Sequence, residues 1–69
     1  MKFKYTVELF RDARLAKRVH VSADGDAEAA ATFGPVTHGL GREPKTGDWI
    51  RVTHDASGRT SWFQIAGSK

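Results

Sequence analysis

Asp48-Trp49-Ile50-Arg51-Val52-Thr53-His54, the tetrad Asp55-Ala56-Ser57-Gly58 and Arg59-Thr60-Ser61-Trp62-Phe63-Gln64-Ile65-Ala66 read as two strands joined by a tight turn. Apolar and polar residues alternate on both sides, and a glycine closes the turn, where a positive φ is easiest to adopt. Pairing across the turn sets Ile50 opposite Phe63 and Val52 opposite Ser61 on one face. On the other face Trp49 meets Gln64, Arg51 meets Trp62 and Thr53 meets Thr60. The first face belongs to the core. An isolated hairpin is not stable in water, so this one needs more strands or a helix against it.

Working outward, Phe3, Tyr5, Val7 and Leu9 alternate with Lys2, Lys4, Thr6 and Glu8. That is the period of a half-buried strand. Phe10 breaks the pattern by placing an aromatic on the polar face. Residues 15–22 form a second strand, with Val19 and Val21 inward and Arg18, His20 and Ser22 outward. Lys17 has the inward parity, which suits an edge from which its ammonium reaches water. A register that keeps both apolar sets on one face pairs Tyr5 with Val21, Val7 with Val19 and Glu8 with Arg18, around a turn centred on Ala13. The alternative register pairs Leu9 with Leu15, and the first is preferred.

Residues 24–33 predict a short helix. Asp24 is the expected N-cap, Asp26 and Glu28 suit the positive end of the helix dipole, and the alanines are strong helix formers. Ala27, Ala30 and Ala31 are expected to lie on the sheet, with Phe33 as anchor. Gly34 and Pro35 end the helix. Residues 35–47 hold three glycines and two prolines without periodicity and read as one long loop. The expected fold is α+β, a single domain over residues 1–69. Its order is β-β-α-β-β, with about four antiparallel strands and one short helix packed on one face. The expected core is Phe3, Tyr5, Val7, Leu9, Val19, Val21, Phe33, Ile50, Phe63 and Ile65.

Composition bounds the function. A chain of 69 residues is small for a domain without staples, because ordering costs about 1.5 kcal/mol per residue. There is no cysteine, so disulfides and thiolate zinc sites are excluded. No apolar run approaches the roughly 18 residues of a membrane span, and the N-terminus does not read as a signal peptide. The expectation is a cytoplasmic protein with no membrane contact and no cofactor. Net charge is +3 and the isoelectric point about 9.7. Lys2, Lys4, Arg11, Arg14, Lys17 and Arg18 against Glu8 and Asp12 make the first 18 residues basic, while Asp24, Asp26 and Glu28 make the next stretch acidic. Such a split invites a charged partner.

Catalysis finds little support. His54, Asp55, Ser57 and Ser61 are hydrolase residue types, but no nucleophile elbow is present. His20, His38 and His54 do not have metal-ligand spacing. The chain therefore reads as a non-enzyme. Trp49, Arg51, Trp62 and Gln64 share the sheet face away from the predicted helix, and Lys2, Lys4, Arg18 and His20 share the outward face of the first hairpin. If that face is open, it is a basic and aromatic surface suited to a protein hot spot or to nucleic acid. If it is covered, Arg51 lies over Trp62 and the long loop lies over Trp49. The candidate binding residues are Lys2, Lys4, Arg18, Trp49, Arg51 and Trp62, with His38, Arg42 and Lys45 from the loop.

Lys2-Phe3-Lys4-Tyr5-Thr6-Val7, Val21-Ser22-Ala23 with Glu28-Ala29-Ala30, and Trp49-Ile50-Arg51-Val52 with Trp62-Phe63 together give a pattern of strands, short alanine-rich helix and Trp-bearing final hairpin. In that pattern the chain resembles small phage-encoded proteins, including some type I anti-CRISPR proteins. The resemblance implies a stoichiometric, non-catalytic inhibitor that docks on a nucleic-acid-handling complex and blocks access of guide or target. It transfers no individual residue. Two other readings remain open: a small basic DNA- or RNA-binding module using the aromatic and arginine face, and a self-associating scaffold component or homodimer.

Overall fold

Five antiparallel strands form one sheet, and a short helix lies across one of its faces. This architecture is that of a computed structural model, which describes residues 2–12, 14–44 and 47–65, the side chains of His38 and Leu40 excepted. The strands are β1 (Phe3–Arg11), β2 (Arg14–Ala23), β3 (Val36–Leu40), β4 (Asp48–His54) and β5 (Thr60–Ile65). The helix α1 (Asp26–Ala30) runs on into one turn of 3₁₀ helix at Ala31–Phe33. Strand order is β2-β1-β4-β5-β3. The two hairpins meet through β1 and β4 at the middle of the sheet, and β2 and β3 are its edges.

The final hairpin has the register that its alternation dictates: Ile50 faces Phe63, Arg51 faces Trp62, and Trp49 faces Gln64. His54 N–H donates to Arg59 O at 2.8 Å and Gly58 N–H to His54 O at 2.7 Å, with Gly58 at φ 75°. The first hairpin also pairs as expected from Phe3–Ala23 to Leu9–Lys17, including Tyr5–Val21, Val7–Val19 and Glu8–Arg18. It then slips. Phe10 pairs with Leu15 and Arg11 with Arg14, so Ala16 is an extra residue in β2, a bulge. In the turn that follows, Asp12 takes φ 51°, a region that aspartate tolerates.

Four expectations are corrected, the last of them in the core. The sheet has five strands and not four, because Val36–Leu40, inside the presumed loop, pairs with β5. That strand lacks alternation because it is a short edge whose ladder is irregular between Val36 and Gly39. Asp24 is not the N-cap; Gly25 holds that position without a side-chain bond, and Asp24 instead donates its backbone N–H to Glu28 Oε2 at 3.3 Å. The alanines that pack are Ala29 and Ala30, together with Ala23, while Ala27 and Ala31 are exposed. The reason is brevity: five α-helical residues followed by a tighter turn do not sustain a 3.6-residue stripe.

The core lies between α1 and the sheet. Tyr5, Val7, Leu9, Ile50, Val52 and Phe63 are buried there, and Val19, Val21, Phe33, Val36 and Ile65 pack around them. Phe3, expected inside, is 40% exposed at the sheet's end, with its ring 5.3 Å from that of His54. Asp26, at the start of α1, accepts a 2.6 Å hydrogen bond from Ser61 Oγ and so fastens the helix to β5.

Candidate interaction surface

The face opposite α1 is built by even-numbered residues of β1 and odd-numbered residues of β4, which the antiparallel register sets side by side. Glu8 lies between Arg18 of β2 and Arg51 of β4. Arg51 Nε donates to Glu8 Oε1 at 2.8 Å, and Arg18 Nε donates to Oε2 at 3.0 Å. Glu8 is 5% exposed. The Arg51 hydrogen bond holds its carboxyl below the usual glutamate range, against the upward push of burial and with help from Arg18. Arg51 also approaches Glu43 at 3.7 Å, so the chain that follows β3 passes over this face.

Beside this cluster, Phe10 and Trp49 are cross-strand partners with stacked rings. The Arg51 guanidinium carbon lies 4.9 Å above the Phe10 ring. Arg51 therefore covers Phe10, and not Trp62 as sequence parity suggested. Trp49 is 3% exposed and Trp62 half-buried. Both indole nitrogens are buried without a hydrogen-bond partner. Of the two alternatives, open or covered, this face is covered at Trp49, by Phe10: it is a second, smaller core around a buried carboxylate. Phe10 and Glu8 are the residues that sequence reading missed as members of it. The signal was Phe10 itself, the aromatic out of phase on β1.

The remaining candidates divide. Lys2 pairs with Asp24 at 3.8 Å and Glu28 at 3.4 Å, all three exposed, and so lies at the helix start and not on the aromatic strip. Lys4 is exposed beside His20, Val21, Ser22 and Asp55, which together line a shallow depression. Within the same region Thr6 Oγ1 donates to Asp55 Oδ1 at 2.8 Å and lies 3.2 Å from His20 Nδ1. Arg42 is exposed beyond β3. Lys45 and the side chain of His38 lie outside the described residues. Arg14 and Lys17, exposed on β2, have no ion pair among the described residues.

The hydrolase-type residues do not converge. His54 Nδ1 is 2.9 Å from Ser57 Oγ and accepts the Ser57 N–H at 3.2 Å, which closes the hairpin turn. Asp55 is engaged by Thr6, and Ser61 by Asp26. Among the described residues no three His, Asp or Glu side chains are placed to hold a metal ion, and no helix is long and apolar enough to cross a membrane. No family model, curated protein or solved structure matches the chain.

Proposed function

We propose that this chain is a non-catalytic binding protein that acts by occluding a partner's surface, in the manner of a small phage inhibitor of the anti-CRISPR kind, with a nucleic-acid-handling complex as its target. One observation supports the reading above others. Lys4, Arg14 and Lys17 are exposed on β1 and β2 with no ionic partner among the described residues, whereas Glu8, Asp24, Asp26, Glu28, Asp48 and Asp55 are all engaged within the fold. Asp12, exposed in the turn between β1 and β2, also has no ion pair among the described residues, so the charge left over on the first hairpin is net positive. Such a field draws an acidic counterpart and speeds its capture. The contact surface comprises Lys4, Arg18 and Arg42 with the accessible part of Trp62. Trp49 and Arg51 shape it from within their pairings.

The same cations favour a second reading, a small nucleic-acid-binding module. Against it, the ring of Trp49 is already stacked by Phe10, so the best base-stacking platform is occupied. Titration with random DNA and RNA at two salt concentrations separates the two. The inhibitor reading expects no affinity at moderate salt, together with recovery of an effector subunit when tagged protein is mixed with extract from cells carrying a CRISPR effector. Affinity that falls steeply with salt, with no effector recovered, establishes the nucleic-acid module instead. A dimer in light scattering, in the absence of either ligand, favours the self-associating reading.

A further inference from the structure

The two edges of the sheet are unlike. β3 has five residues, includes a glycine and pairs irregularly with β5, a form that blunts an edge against further pairing. β2 has ten residues, and from Lys17 to Ala23 it pairs with β1 without interruption. In an antiparallel ladder every second residue of an edge strand turns both its N–H and its C=O outward, so this stretch presents a regular row of unused donors and acceptors. Arg14, Leu15, Ala16, Lys17, Arg18, His20 and Ser22 are exposed along it, and β2 contains no acidic residue.

We infer that the β2 edge receives an extended, acidic segment of a partner protein, which joins the sheet as a sixth, antiparallel strand. This rests on the binding reading above and names its geometry. A polypeptide strand answers the row of N–H and C=O groups one for one, which a phosphate backbone does not. The side chains set the sequence that fits. Val21 and Val19 lie on the helix side of the sheet, half-buried, and call for apolar neighbours. Lys17 follows on the same face and Arg18 on the other, and both call for acids. Read antiparallel to β2, the incoming strand is apolar, polar, apolar, acidic, acidic. A second copy of this chain fits poorly. The two-fold pairing that keeps the helix-side faces together and centres on Val19 sets Arg18 opposite His20 and Lys17 opposite Val21, and supplies no carboxylate. Lys17, an inward-facing charge on an edge, repels neutral and basic strands and so selects for the acidic one.

The test uses the full chain, isotope-labelled, and a synthetic peptide containing Val-Thr-Val-Glu-Asp. Amide hydrogen exchange is read residue by residue. The expected result is slowed exchange at alternate amides of Lys17–Ala23 and unchanged exchange in β3. Lys17→Glu should weaken the peptide by about tenfold, because the opposite-charge pair with the peptide's aspartate becomes a like-charge pair. The reversed variant should then accept Val-Thr-Val-Glu-Lys, and undiminished protection in β1 and β4 shows that it is folded. Binding without protection in β2, binding insensitive to the charge reversal, or an oligonucleotide slowing the same amides more than the peptide does would each overturn the proposal. Absence of peptide binding overturns it too, whatever an extract yields. Failure to recover an effector subunit bears instead on the inhibitor reading, and leaves strand capture to be judged by the exchange data.

Discussion

Phe10 and Trp49, on neighbouring strands β1 and β4, stack with ring centroids 4.2 Å apart and planes 6° from parallel. They do so on the sheet face that carries no helix. Aromatic pairs gain roughly 0.5–1.5 kcal/mol beyond the area they bury, and here the pair also seals the middle of the sheet, where the two hairpins join. Trp49→Ala should cost about 3–5 kcal/mol, most of what so short a chain has to spend. Phe10→Leu should cost less, and the double variant should cost less than the sum of the two. Urea unfolding of the four proteins measures this. Strict additivity would show that the stack contributes nothing beyond burial.

The buried Glu8 sets the acid limit of the fold. An unfolded glutamate titrates near about 4.3, and in the folded chain hydrogen bonds from Arg51 first and Arg18 second hold it lower. A folded-state pKa below the unfolded one stabilises in full above the unfolded value, and the stabilisation is lost as pH falls through the folded value. The unfolding midpoint should therefore decline below about pH 4. Arg51→Ala removes the largest downward influence and leaves burial opposing a single exposed arginine. It should cost about 2–3 kcal/mol near neutrality and move the acid decline to higher pH. Carboxyl-carbon NMR of Glu8 against pH checks the assignment. An unmoved titration in Arg51→Ala would sink it.

The same pair of residues explains what the sequence could and could not disclose. Alternation named β1, β2, β4 and β5. In the first hairpin parity excluded a one-residue slip but left two registers, of which the preferred one holds from Phe3 to Leu9 and gives way at the Ala16 bulge. Glu8 opposite Arg18 was legible because both lie in one hairpin. Glu8 opposite Arg51 was not, because nothing local says that β1 lies next to β4. The closed aromatic face depends on that neighbour relation, so Trp49 read as exposable when it is buried. β3 was invisible for a different reason: Val36-Thr37-His38-Gly39-Leu40 has a glycine and no alternation, and what holds it is backbone pairing with β5. The basic character of β2 was fully legible, since its cations and its lack of acids need no structure to count.

Asp26 ties the helix to the sheet, and its removal should loosen the helix before the strands. Its carboxylate accepts from Ser61 Oγ at 2.6 Å and lies 3.8 Å from Arg59. Asp26→Ala should cost about 1–2 kcal/mol and speed amide exchange at Ala29 and Ala30 more than in β1. Burial raises the Tyr5 hydroxyl above its ordinary value, and the charge of Asp26 adds to that. With the folded pKa raised, stability is full below the unfolded value near about 10 and falls as pH climbs toward the folded one. Asp26→Ala should bring tyrosinate absorbance in at lower pH than in the parent chain. Unchanged titration would mean that burial alone sets it.

Gly58 tests whether the final hairpin is held by its turn or by its strands. It sits at φ 75°, donates to His54 O at 2.7 Å, and an added Cβ would meet nothing within 4 Å. Gly58→Ala therefore adds no clash and carries only the conformational cost of a left-handed residue, about 1 kcal/mol. Gly58→Asn should cost less, since asparagine visits that region more readily. Both should lower the urea midpoint at constant slope, which marks lost stability and not a changed denatured state. The register itself should survive, because Ile50, Val52 and Phe63 are buried whichever residue closes the turn. A large loss, or a register shift seen in cross-strand NMR contacts of Thr53 and Thr60, would show instead that the turn dictates the pairing and the core merely accepts it.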